Sequence, residues 1–231
     1  MAGLQTILTY CNSLAIDRRK IVGIQFTRNE IPRVSQTPTL NPWKFTLEMP
    51  NSFRYYQARE LMESLDTLDR INPEVITFSD NSNLSWIFRY QGAMTAPQIA
   101  AITVTSFVGN VLRLTNLPAV SAGTVLFEPN DLIQLGALGV HPYPFTSTTQ
   151  ILRGSLAYVD VITNRPNIIT GTVSTLGIIV GNSCQFNMFC PNMPTYKLIP
   201  GGQAFNGSTV INNALIEFSD AFQFYEFVGE A

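Results

Sequence analysis

The chain has 231 residues, 45% hydrophobic and 11% aromatic, enough apolar surface for a substantial core and too much for a disordered chain. Only 13% are charged and the net charge is −2, so neither a general attraction to nucleic acid nor one to an anionic membrane is expected, and no basic stripe interleaved with aromatics appears. A folded chain so poor in charge is normal where much of its surface lies inside an oligomer, and large subunit contacts are expected. At the amino terminus Leu4, Ile7, Leu8, Cys11 and Leu14 form one helical stripe. The run Asp17, Arg18, Arg19, Lys20 that ends it suits a helix carboxyl end better than a phosphate site. Residues 21–27 read as a strand in which Val22, Ile24 and Phe26 share a face. Residues 28–42 lose the period and carry Pro32, Pro38 and Pro42, which predicts a long arm touching an adjacent subunit.

Residues 41–90 are the organising unit. Trp43, Phe45, Leu47 and Met49 alternate with Lys44, Thr46 and Glu48, the period of a strand dry on one face. Pro50 ends it, and Ala58, Leu61, Met62, Leu65 and Leu68 then fall at helical spacing, predicting a helix over 52–68. Asn72-Pro73 stops that helix before a strand over 75–78. Residues 79–84 read as a hairpin loop, followed by a strand with Trp86, Phe88 and Tyr90 on one side.

From about residue 97 the composition turns to small residues. Short β-rich runs over 99–107, 111–115, 125–127, 132–135, 139–145 and 156–162, punctuated by Gly109-Asn110, Pro129-Asn130 and Gly154, predict a small barrel. Cys184, Phe186, Met188 and Cys190 then restore the aromatic alternation, and Phe218, Phe222 and Phe224 repeat it. If these late strands join the sheet begun at Trp43, one domain comprises residues 1–96 and 171–231, with 97–170 inserted as an OB-like or similar small barrel. The expected fold class is mainly β with one or two helices.

Groups able to do chemistry are sparse. The single histidine, His141, lies in a proline-punctuated stretch with no nucleophile elbow or reactive cysteine beside it. Cys184 and Cys190 are six residues apart on one strand, about 20 Å, too far for a disulfide, and lack the paired spacing of a zinc site. With Cys11 they read as small apolar fillers in a protein made in a reducing cytoplasm. Glu60, Glu63, Asp66 and Asp69 read as an exposed helix face flanked by Arg59 and Arg70. Asp80-Asn81-Ser82-Asn83 reads as a turn, and Gly201-Gly202 as a flexible connection lacking the Lys-Ser/Thr ending of a phosphate loop. No enzyme, cofactor or metal site is expected. Trp43 and Trp86 each sit in an alternating apolar set, which favours burial over sugar stacking.

The carboxyl third, with Asn182, Cys184 and Phe186, the run Cys190-Pro191-Asn192-Met193-Pro194-Thr195-Tyr196-Lys197-Leu198-Ile199-Pro200-Gly201-Gly202, then Leu215-Ile216-Glu217-Phe218 and Phe222-Gln223-Phe224-Tyr225-Glu226, resembles the ends of tail-tip and baseplate proteins of tailed bacteriophages. Trp43-Lys44-Phe45-Thr46-Leu47 followed by Tyr55-Tyr56-Gln57-Ala58-Arg59 is similar to the strand and helix of a tail-tube-like barrel. The resemblance implies a split β-barrel with one packed helix, assembled with five sister copies into a hexameric ring at the distal end of the tail tube. Such a virion protein, built in the host cytoplasm, would meet tube, hub and baseplate proteins, let DNA pass without specific binding, and not enter a membrane. It implies Glu48, Glu217 and Asp220 as lumen-facing residues, and Arg28, Arg33 and Trp43 as subunit contacts. A carbohydrate- or receptor-binding β module is the alternative from a different class.

Overall fold

The structure, a computed structural model, describes residues 3–18, 22–26, 32–36, 42–50, 53–67, 72–79, 84–206 and 208–228. The first part of the chain forms α1 (Gly3–Tyr10), β1 (Ser13–Asp17), β2 (Val22–Phe26), β3 (Pro32–Gln36), β4 (Lys44–Glu48), β5 (Phe53–Arg54), α2 (Arg59–Thr67) and β6 (Glu74–Thr77). The middle forms α3 (Ala96–Ala101), β7 (Thr103–Val108), β8 (Val111–Thr115), β9 (Val125–Phe127), β10 (Leu132–Leu135), β11 (Phe145–Thr146), β12 (Ile151–Leu152), β13 (Val159–Ile162) and β14 (Ile178–Val180). The last part forms β15 (Gln185–Phe189), β16 (Tyr196–Ile199), β17 (Gln203–Asn206), β18 (Thr209–Asn212), β19 (Leu215–Phe218) and β20 (Phe222–Glu226). The fold is mainly β with three helices among the described residues, arranged as several small sheets, none of which closes into a barrel.

Both ends of the chain build the largest sheet, in the order β1-β4-β20-β15-β6. The late strands therefore do join the sheet begun at Trp43. Phe45 lies opposite Phe224, Leu47 opposite Phe222, and Phe186 opposite Ile76, so the alternating apolar residues share one face. On that face Trp43, Phe45, Phe78 and Phe186 are fully buried and meet edge to face, with centroids 5.0 to 5.8 Å apart for Trp43–Phe186, Phe45–Phe186, Phe45–Phe78 and Phe78–Phe186. α1 and α2 pack on one another, and Leu4, Ile7, Leu8, Leu61, Met62 and Leu65 complete the same core. The opposite face carries Thr46, Gln223, Gln185 and Asn187, all half-buried, with Asp17 opposite Lys44 at one end of the β1–β4 ladder and Glu48 at the other.

Three local expectations change. The helix foreseen over 52–68 begins only at Arg59. Before it come β5, which pairs with β19, and a single 3-10 turn over Tyr55–Gln57. Residues 84–90 are not a strand: Ile87 N donates to Leu84 O and Arg89 N to Trp86 O, a run of turns in which Leu84, Ile87 and Phe88 point inward. That three-residue spacing leaves Trp86 70% exposed, against the burial expected of it. Within 28–42, Pro32–Gln36 is a strand paired with β2, so part of the expected arm is a hairpin. Residues 28–31, 37–41 and 80–83 lie outside the described residues.

A second core draws on residues 94 to 180 and includes Ile102, Leu112, Leu114, Phe127, Ile133, Phe145 and Val161. Its strands fall into three small sheets, β13-β8-β7, β12-β9 and β11-β10-β14. α3 occupies the start of the strand expected over 99–107, and Thr95 N donates to Gln98 Oε1 at 2.8 Å in the manner of a capping box. The strands expected over 139–145 and 156–162 shrink to Phe145–Thr146 and Val159–Ile162. On the outer surface Arg113 grips Asp160 through two bonds of 2.7 and 2.8 Å, which hold the carboxyl below its ordinary range. Gly181, at φ +70, marks the crossing between the cores, where a Cβ would meet the Tyr90 backbone nitrogen at 2.8 Å.

An ion pair fastens the two cores together. Arg165 and Glu226 side chains are 0% and 1% exposed and meet at 2.5 and 2.7 Å. Glu226 Oε2 also accepts from Trp43 N at 2.9 Å, and the Arg165 guanidinium donates to Pro144 O while lying 3.7 Å from the centroid of the Tyr143 ring. From the other direction Arg18 lies 5.3 Å from the Trp43 ring centroid and donates to Thr146 Oγ1 and Asn130 Oδ1. Burial in such a pair is tolerable only because both ions have further partners. Arg165→Met strands a buried carboxylate and is expected to cost about 3–5 kcal/mol. Adding Glu226→Gln, which keeps the acceptor for Trp43 N, is expected to return most of that loss, as read from urea unfolding midpoints of the two variants.

Candidate functional site

Strand register brings Glu48, Glu217 and Asp220 together. Because Phe222 of β20 pairs with Leu47 of β4, the turn between β19 and β20 is delivered to the end of β4 where Glu48 stands. All three carboxylates are exposed and line one groove of 520 Å³, with Met49, Pro50, Ile199, Leu215 and Phe218 supplying its apolar part. Glu48 Oε2 accepts from Ser13 Oγ at 3.0 Å, and Asp220 Oδ1 accepts from Ala221 N at 2.7 Å. Lys197 stands across the ladder from Glu217. Beside the groove, β16 is exposed along its whole length. Tyr196, Leu198 and Ile199 are 37%, 47% and 44% exposed, and among the described residues β16 hydrogen-bonds to one strand, β19.

Trp43, expected at a subunit contact, is 1% exposed, enclosed by Phe45, Phe88 and Phe186 and flanked by Arg18 and Arg165. Its ring serves the interior of this chain, not a neighbour. Arg33 stands on β3 opposite Gln25, and Arg28 lies outside the described residues. Glu60, Glu63 and Asp66 fall on α2, all three exposed; Asp69, Arg70 and residues 80–83 lie outside the described residues.

His141 sits at φ +49 in a turn where its carbonyl accepts from Tyr143 N at 2.7 Å. Gly201, read as part of a flexible connection, is instead held: Asn213 Nδ2 donates to its carbonyl at 3.1 Å, and a Cβ there would meet Asn213 O at 2.0 Å. Among the described residues no three His, Cys, Asp or Glu side chains gather as a metal site, and no helix is long and apolar enough to cross a membrane.

Sequence reasoning missed the Arg165–Glu226 pair and the exposed β16 edge. The signal for the first was a lone arginine, Arg165, between apolar runs and directly before Pro166. For the second it was four consecutive residues, Tyr196 to Ile199, with no polar and apolar alternation to give the strand an inner face. No family model matches the chain, and no curated protein matches it at a significant level.

The cysteines are reduced and fully buried in the first core. Burial pushes the Cys11 thiol up to about 12 and the Cys184 thiol higher still. The thiolate that reacts is therefore scarce at neutral pH. Incubation of the folded protein with a maleimide at pH 7 is expected to leave Cys11, Cys184 and Cys190 unlabelled by intact mass, whereas unfolding in guanidinium is expected to release all three.

Proposed function

We propose that the protein is a structural subunit of a tailed-bacteriophage tail tip, in which six copies close into a ring at the distal end of the tail tube, join tube to tip and let DNA pass. The tail-tube-like fold belongs to the same proposal, with residues 1–96 and 171–231 as the ring-building domain and 97–170 as an insertion turned toward other baseplate parts. The observation that carries it is a pair of open sheet edges. Among the described residues β1, at the border of the large sheet, hydrogen-bonds to β4 alone, and β16, at the border of the separate β16-β19-β5 sheet, to β19 alone; such edges invite pairing with another chain.

The far border of the large sheet differs. Gln5 of α1 accepts from Thr77 N at 2.9 Å and donates to Thr77 O at 3.0 Å, so its carboxamide takes the place of a strand partner on β6. One border is capped within the copy and the other is left for a neighbour, which suits head-to-tail assembly. On the outer face Thr46, Gln223, Gln185 and Asn187 are neutral and the charges at the ends of the β1–β4 ladder are two acids, Asp17 and Glu48, against one base, Lys44, a balance that supports a wall DNA slides past without binding.

Mass photometry and negative-stain microscopy of the purified chain test the proposal. The expected result is a closed ring of six subunits with a central opening. A stable monomer at micromolar concentration would contradict it. A monomer that also bound glycans, with loss of binding in Trp86→Ala, would favour the carbohydrate-binding reading, which the exposed Trp86 ring supports.

A further inference from the structure

We infer that β16 of one copy pairs antiparallel with β1 of the next, Leu198 opposite Leu14 and Tyr196 opposite Ile16. The inference rests on the ring proposed above and names the contact that would close it.

Register makes the two open edges opposite borders of one bent ribbon. Leu47 pairs with Phe222 in the large sheet and Phe53 with Ile216 in the smaller one, six residues further along each strand. Likewise Phe189 pairs with Tyr225 and Tyr196 with Phe218, seven residues further along each. Pairing lapses between the two sheets and resumes without a slip, and in the interval Ser219 N still donates to Thr195 O at 2.8 Å. The strands of the β16-β19-β5 sheet therefore continue β15, β20 and β4. β1 borders the ribbon on the β4 side, and β16 borders it on the β15 side, past the point where β6 stops.

The ladder bonds fix which groups each edge leaves open. Glu226 N donates to Trp43 O, so Trp43, Phe45 and Leu47 turn their peptide groups to β20, and Lys44, Thr46 and Glu48 turn theirs to β1. Their partners Ser13, Ala15 and Asp17 face β4, which leaves the N–H and C=O of Leu14 and Ile16 pointing outward. By the same alternation from Thr195 and Ser219, Lys197 and Ile199 face β19, and Tyr196 and Leu198 point outward. Two residues on each edge thus await a partner strand. Matching Leu14 with Leu198 and Ile16 with Tyr196 uses all of them. A shift of two residues in either direction sets Leu14 against Pro200 or Ile16 against Pro194, and neither proline has an N–H to give.

The same match keeps the faces together. Leu14 and Ile16 lie on the core face with Leu47 and Phe45, and the exposed Leu198 and Tyr196 lie on the face of Ile216 and Phe218. On the outer face Ala15 meets Lys197, with Asp17 one diagonal step away. Strand tilt agrees as well. In its own copy Leu14 is level with Leu47, whereas Leu198 is level, through Ile216, with Phe53, so the match offsets neighbouring copies by six residues across four strands. Both spans are about 20 Å, a tilt of about 45°, at the upper end of the roughly 35–45° found in closed barrels.

Cross-linking tests the contact, with circular dichroism and thermal melting confirming that each variant folds. In A15C/K197C the new thiols would lie in a non-hydrogen-bonded pair between copies, with Cα atoms about 4.5 Å apart, within the reach of a disulfide. Within one copy three strand spacings, about 14 Å, already separate them, so any bond must join two copies. Cys11, Cys184 and Cys190 are buried and do not compete. Mild oxidation is expected to give a ladder of linked subunits on denaturing gels up to the full ring, and A15C or K197C alone to give no ladder. L198P removes one outward N–H and spares the β19 ladder; it is expected to weaken assembly about tenfold or more in sedimentation velocity. Rings that form in A15C/K197C without cross-linking, or that form as readily in L198P, would overturn the inference while leaving the ring standing. A native chain that never assembles would instead remove the ring itself, and the contact with it.

Discussion

The structure depends on where β20 lies. The final strand of the chain is the central one of its largest sheet, held between β4 on one side and β15 on the other. Everything laid on that sheet, including α1, α2 and the ring cluster of Trp43, Phe45, Phe78 and Phe186, has its template only once residues 222–226 have arrived. Loop closure over so long a separation is costly before any contact rewards it. The compensation is the quality of the contact, since Phe222 and Phe224 enter fully buried against Leu47 and Phe45.

The same strand carries the link to the second core. Glu226 ends β20 inside the protein, where one carboxylate binds Arg165 from the middle of the chain and the Trp43 backbone from the start of the sheet. A buried ion pair is a poor source of net stability compared with well-packed apolar groups, but it is intolerant of misplacement. Its position between two cores therefore fixes their relation more sharply than grease alone would. Other buried polar groups gather nearby in the chain, among them Asp131, Gln134, Thr146, Ser147 and Thr163, and Gln134 Oε1 accepts from Gln185 N at 2.6 Å across the junction. Burial raises the Asp131 carboxyl even though it accepts from the Glu128 and Gln91 amides.

What the sequence disclosed follows the strength of its periodic signals. Strand alternation around Trp43 and around Phe186 was legible because one face is fully dry and the other wet. It misled at Trp86, Phe88 and Tyr90, where a period of two and a chain of three-residue turns place the same few aromatics, and only tertiary burial of Leu84 and Ile87 separates them. The helix after Pro50 was legible in type but not in start, since β5 is recruited into a ladder by β19, some 160 residues away in sequence. Of the candidate site, the resemblance implies the three acids only as lumen-facing residues. Their meeting in one groove comes from the β4–β20 register, which no local pattern encodes. The sequence setting of Trp43 suits both a core and a contact, and only the enclosing rings of the folded sheet place it in the core.

The central claim is that the sheets built from both ends of the chain are left with two open edges, β1 in the large sheet and β16 in the small one, that sister copies complete. Hydrogen exchange by mass spectrometry, compared between a concentrated and a highly diluted sample, measures this directly. Amides of β4 and β20 should be protected in both samples, whereas those of β1 and β16 should exchange slowly when assembled and fast after dilution. Edge-strand amides that exchange at one rate at every concentration would contradict the account.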